Sequence, residues 1–253
     1  MRQNRGVHRR YLASAIEGID PMPESDAPPS NHRPPPILAI DSASDQAGLA
    51  LYDGHSVSEL SWPAGRTQTA TMLAQIHHLI ALRGLAARDV GAVAVGLGPG
   101  SFTGVRIGIS LAKGLALGLD IPIFGIPTLS AAALPFLTAA PVVVSAMSAG
   151  RGRLVWAVYA APHDPAEITP RLLSGPTNGT PSQLRTAAAA VAAPIVGERD
   201  GEEDPGLAPN GPPFAGTALR NRRPAAFAIL GWHRWQGGDG DNLTALDALY
   251  VAR

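Results

Sequence analysis

The chain has 253 residues, enough for one large domain or two small ones with a full hydrophobic core, which excludes a miniprotein held together by disulfides or metal. Hydrophobic residues make up 45% and charged residues 16%, so fibrous and wholly disordered classes are excluded, while 28 Gly and 24 Pro announce abundant loops. The 20 basic and 20 acidic side chains cancel, leaving no global field toward nucleic acid, and the absence of cysteine excludes disulfides, zinc ribbons, iron–sulfur ligation and thiol catalysis.

Residues 1–36 mix Arg, His, Ser and Pro with too few apolar groups to offset ordering entropy, and are expected to be a disordered leader. Arg2, Arg5, Arg9 and Arg10 are followed by no apolar region before Glu17, so a secretory signal is not predicted. No apolar run approaches the roughly 20 residues of a membrane span. A soluble, cytoplasmic protein is expected.

Ile37-Leu38-Ala39-Ile40 and Ala47 to Tyr52 read as strands, and Asp53-Gly54 as the hairpin turn into a third strand near Ser56 to Trp62. Met72, Leu73, Ile76, Leu79 and Ile80 carry the spacing of an amphipathic helix ended by Gly84. Val90 to Leu97 predicts a buried strand feeding Gly96-Leu97-Gly98-Pro99-Gly100-Ser101-Phe102-Thr103-Gly104 into a helix that runs to about Leu119. A strand over Ile121 to Ile126 and a helix after Thr128 complete a β-β-β-α-β-α-β-α lobe over 37–140, the order of a ribonuclease-H-like unit. A smaller second lobe over 141–253 opens with strands at Pro141 to Met147 and Leu154 to Tyr159. From Ala161 no pattern holds until the capping box Thr180-Pro181-Ser182-Gln183 starts an Ala-rich helix. Residues 197–216 read as a mobile surface loop, with ordered chain resuming near Ala225.

The glycine loop fits neither the P-loop, since no lysine follows its last Gly, nor the dinucleotide motif, since Thr103 stands where a third Gly is needed. An esterase elbow fails as well, with Pro99 and Thr103 flanking Ser101 where glycines belong. In the following helix Gly104, Gly108 and Ala112 recur every four residues, flanked by Val105, Ile109 and Leu115, with Ile107 and Leu111 read as the sheet-facing stripe. Such a ridge meets either a neighbour in its own lobe or another subunit. Asp41, followed by Ser42 and Ser44, ends the first strand where actin-like ATPases and sugar kinases place a metal-steering carboxylate, and it serves equally as a turn residue. His77 and His78 point about 100° apart on a helix, which does not make a metal pair. Arg220, Arg222 and Arg223 fit a solvated loop or an RNA contact equally. No nucleophile–base pair or metal constellation can be assembled, so no catalytic residue and no metal site is assigned.

The motifs at Ile37 to Ser44, Gly96 to Gly108 and Ala112-Lys113-Gly114-Leu115-Ala116 together resemble the TsaB, or YeaZ, family of bacterial tRNA threonylcarbamoyladenosine biosynthesis proteins, well over Ile37 to Tyr159 and thinly beyond. The resemblance implies an α/β, actin-like two-lobed fold with ribonuclease-H-like lobes, and a non-catalytic subunit that pairs with a TsaD-type transferase. With a TsaE-type ATPase, that complex modifies adenosine 37 of tRNA. It implies no cofactor of the chain's own, ATP and Mg used by the complex, tRNA met only through the complex, no membrane, and a homodimer when alone. The implied seam comprises Met72, Ile76, Gly100, Ser101, Phe102, Thr103, Gly104, Val105, Arg106, Gly108, Ile109 and Ala112. The rival reading is an actin-like ATPase or small-molecule kinase using Asp41 and the glycine loop.

Overall fold

The computed structural model describes residues 34–251 apart from 64, 66, 67, 165 and 199–220. The leader read at 1–36 lies outside the described residues except for its last three positions, and the loop read at 197–216 except for its first two.

The described residues open with three antiparallel strands, β1 (Ile37–Asp41), β2 (Gln46–Tyr52) and β3 (Val57–Pro63), then helix α1 (Gln68–Leu82). Two crossovers follow: β4 (Ala92–Gly96), α2 (Phe102–Leu119) and β5 (Ile123–Ile126), with β4 parallel to both β1 and β5. The result is a five-stranded sheet in the order β3-β2-β1-β4-β5. The short helix α3 (Thr128–Ala133) leads to a second sheet of β6 (Val142–Ser148), β7 (Leu154–Ala160), β8 (Arg171–Gly179) and β9 (Ile195–Val196), ordered β8-β7-β6-β9. Helix α4 (Pro181–Ala190) starts at the predicted capping box, with Gln183 N donating to Thr180 Oγ1 at 3.3 Å. Helix α5 (Pro224–Gln236) returns to the first sheet.

Period-two alternation sorts the first sheet's side chains into two cores. Leu38, Ile40, Val93 and Val95 face α1 and α2, where Met72, Ile76, Leu79, Val105 and Ile109 close the layer. Ile37, Ala39, Ala92 and Ala94 face α5, whose Phe227 and Trp232 fill the room left by the alanines. Met147, Val155 and Tyr159 of the second sheet join the first of these cores, so the two sheets share it.

β8 is an element that the sequence reading did not contain. It is an edge strand exposed from Arg171 to Thr177, and a register shift against β7 interrupts its pairing between Trp156 and Tyr159. Among the described residues α2 alone is long and apolar enough, by length and composition, to cross a membrane, though Arg106 and Lys113 interrupt its apolar run. Its buried residues Gly104, Val105, Gly108, Ile109, Ala112 and Ala116 form the face packed on the first sheet.

The β2–β3 hairpin is locked by Asp53, which accepts from Ser56 N at 2.7 Å, His55 N at 3.0 Å, Ser56 Oγ at 2.9 Å and Arg83 Nη2 at 2.7 Å. Burial alone would raise this carboxyl; the four donors outweigh it and hold the group well below the usual carboxylate range. A depressed carboxyl contributes stability that is complete above the unfolded value near about 4 and is lost as pH falls toward the folded one. Asp53→Asn is therefore expected to cost about 1–3 kcal/mol at neutral pH in urea unfolding. Its deficit against the parent should shrink as the pH drops below about 4.

Candidate functional site

The parallel strands β1 and β4 end side by side, and the segments leaving them are tied together. Ser101 N donates to Ala43 O at 2.6 Å and Ser42 Oγ donates to Gly104 O at 2.8 Å. Gly98 has φ of +92°, and its N donates to Thr128 Oγ1 at 3.1 Å. A side chain at Gly100 would overlap the Ala43 carbonyl. The glycines thus let the loop lie against the β1–β2 turn, and the Ser101 and Gly98 amides are spent inside the subunit.

Asp41 is likewise consumed internally. Arg222, just before α5, donates from Nε to Asp41 Oδ2 at 2.7 Å, and its Nη1 is paired with Glu198, which follows β9. Its Nη2 donates to Ser44 Oγ at 3.1 Å and Gln46 O at 3.4 Å, and Ser44 Oγ donates to the Glu198 carboxylate at 2.8 Å. Arg222 and Asp41 are only 2% and 3% exposed at their side chains, so this is a buried ion network. Burial would lower the Arg222 pKa, but Asp41 and Glu198 hold it above the usual value, so the guanidinium stays charged. A cleft of about 380 Å³ lies beside it, lined by Ser44, Gly100, Ser101, Met147, Ser148 and Glu198. Where the ATPase reading needs Asp41 turned toward a metal, an arginine holds it. The arginine cluster is divided: Arg222 is internal, Arg223 is paired with Glu59, and Arg220 lies outside the described residues. His77 and His78 are exposed.

The small-residue ridge of α2 faces inward, which corrects the seam expected there. Gly104, Gly108 and Ala112 are buried against their own sheet, and a side chain on Gly108 would overlap the Ser42 hydroxyl. Val105, Ile109, Met72 and Ile76 are also buried, at 6% exposure or less, so these seven residues do not form an open surface. The reason is a crossover helix set directly over the end of β1, where only glycine leaves room for Ser42. Ile107 and Leu111, read as sheet-facing, instead turn half outward. Gly100, Ser101, Phe102, Thr103 and Arg106 are exposed.

Between α1 and α2 runs an apolar groove of about 610 Å³ lined by Met72, Leu73, Phe102, Arg106, Ile107 and Leu111. Leu73 is 58% and Phe102 57% exposed, a contiguous pair of large apolar side chains in water. Leu73, Ile107, Leu111 and the neighbouring Tyr250 were missed by sequence reasoning. The signal was present in the helical stripe opposite Gly104–Gly108–Ala112, which carries apolar residues too.

A family model described as TsaD, tRNA N6-adenosine threonylcarbamoyltransferase, matches residues 63–164. The TsaB tRNA threonylcarbamoyladenosine biosynthesis protein of Escherichia coli is 38% identical over 125 residues, covering 49% of this chain and 54% of that protein. A tRNA N6-adenosine threonylcarbamoyltransferase of Jannaschia is 33% identical over 70% of this chain and 54% of its own. The chain thus spans about half the length of these curated relatives. Among solved structures, a Pseudomonas aeruginosa protein described as similar to peptidase YeaZ superposes with a TM-score of 0.72 at 23% identity, covering 86% of this chain and 99% of that one. That likeness establishes a common α/β fold of mixed sheets flanked by helices. The chain is thus similar in sequence to TsaB proteins over about half its length and shares the fold of the Pseudomonas aeruginosa protein.

Proposed function

We propose that the chain is the non-catalytic TsaB-type subunit of the machinery that installs N6-threonylcarbamoyladenosine at adenosine 37 of tRNA, in the cytoplasm. It pairs with a TsaD-type transferase through the exposed face of α1 and α2, with a TsaE-type ATPase in the same machinery and, in the transferase's absence, with a second copy. ATP and Mg are used by the complex, and tRNA meets this chain only through it. The fold is an actin-like pair of ribonuclease-H-like lobes, the first over 37–140 and the second opening at 141, a reading supported by the β3-β2-β1-β4-β5 order. Helix α5 and the segment after it return from the second to the first sheet, whereas the sequence reading keeps them in the second lobe. The observation that carries the proposal is the open apolar groove under Leu73, Ile107 and Leu111, which water disfavours and a partner helix would cover. The engagement of Asp41 by Arg222 weighs against the rival ATPase reading.

Co-purification with the cognate TsaD-type protein, ATP turnover and tRNA modification test this. The parent chain should form the complex, support modification, and hydrolyse no ATP alone. Leu73→Asp, at an exposed position that leaves the fold intact, should weaken the complex at least about a hundredfold, because a carboxylate would lose its hydration where the seam needs apolar contact. Brisk ATP hydrolysis by the chain alone, or a complex unaffected by Leu73→Asp, overturns the proposal.

A further inference from the structure

Among the described residues that line the groove, Arg106 is the only charged side chain. Helices α1 and α2 contain no Asp or Glu, and their only Lys or Arg residues are Arg106 and Lys113. Lys113 Nζ donates to Thr244 O at 3.4 Å, in the segment after α5. Arg106 is exposed, its guanidinium 3.8 Å from the Phe102 ring centroid and 5.7 Å from that of Tyr250, and among the described residues no carboxylate reaches it. The C-terminal segment that supplies Tyr250 is itself pinned down. Gly125 N donates to Asp241 Oδ2 at 2.6 Å, Leu246 is buried, and Leu249 N donates to Leu97 O at 2.8 Å. Phe102 and Tyr250, with ring centroids 5.7 Å apart, hold the guanidinium at the groove edge.

Resting on the reading above, we infer that Arg106 selects an acidic partner for the α1–α2 face: the TsaD-type subunit brings a carboxylate to the Arg106–Phe102–Tyr250 cluster as its apolar side chains fill the groove. A purely apolar cover would strand the guanidinium's donors away from water, which is costly, whereas a carboxylate takes them as a fork. A second copy docking through the same face brings another Arg106 and no acid from either helix, so like charges meet. Arg106 therefore favours the heterocomplex and disfavours the homodimer. Pairs of opposite and like charge respond to salt with opposite signs, which gives the inference a signature that simple packing lacks.

The test measures the dissociation constants of the heterocomplex and of self-association by sedimentation, from about 50 to about 300 mM salt. The parent heterocomplex should weaken as salt rises while self-association strengthens. Arg106→Gln should weaken the heterocomplex about thirtyfold or more at the low-salt end and flatten its salt dependence, without weakening self-association. Arg106→Lys should recover part of both effects. A heterocomplex that keeps its affinity in Arg106→Gln, or loses affinity while keeping its salt slope, overturns the inference, as does self-association that weakens in step. The Leu73→Asp variant separates the two failures. If it breaks the complex while Arg106→Gln does not, the charge selection alone is wrong; if neither breaks it, the seam is elsewhere.

Discussion

Arg222→Met is expected to destabilise the chain by about 3–5 kcal/mol in urea unfolding, the largest loss from a single side chain outside the apolar cores. Methionine fills a similar volume but leaves Asp41 and Glu198 facing each other without the cation between them. Asp41 is 2% exposed and cannot recover its hydration without opening the turn at Ala43, whose N donates to Asp41 Oδ1 at 3.1 Å. Arg222→Lys should fail nearly as badly, because one ammonium cannot reach Asp41, Glu198, Ser44 and Gln46 in the planar fork that a guanidinium offers. The double variant Asp41→Asn with Arg222→Met should be more stable than Arg222→Met alone, since it removes the stranded charge; strict additivity of the two losses would refute the coupling. The network joins the end of β1, the segment after β9 and the approach to α5, so its loss should also loosen the two sheets against each other. Faster amide exchange at Val196 and Gly197 would report that.

This network was beyond the reach of the sequence. Asp41 and Arg222 are 181 positions apart, and no periodicity or motif links them. Local signals did better where the rule is local. The apolar runs before Asp53-Gly54 gave β1 and β2, and Thr180 to Gln183 gave the start of α4. β8 stayed hidden because an exposed edge strand containing Gly175-Pro176 needs no alternation and shows none. The α2 ridge is the instructive case. Its four-residue period was legible, but a period names a face without saying what lies opposite. The missing fact was that Ser42, past the end of β1, sits under Gly108. The open face then had to be the other one, where Ile107 and Leu111 meet Leu73.

Two glycines on the same helix, Gly108 and Gly114, should accordingly answer substitution with opposite signs. Gly108→Leu is expected to lose about 2–4 kcal/mol, because the side chain displaces the Ser42 hydroxyl from its bond to the Gly104 carbonyl and overpacks the sheet beneath. Any accompanying loss of the heterocomplex would then follow unfolding, so this variant does not probe the seam, and Leu73→Asp does. Gly114 and Gly118 are exposed, with nothing near the space a side chain would occupy. Removing backbone freedom from the unfolded chain at no steric cost, Gly114→Ala should stabilise the protein by up to about 1 kcal/mol. Thermal and urea unfolding of the two variants side by side decides the orientation of α2. A helix that tolerated leucine at Gly108 and gained nothing from alanine at Gly114 would have to be turned around its axis, with the ridge outward and the groove closed.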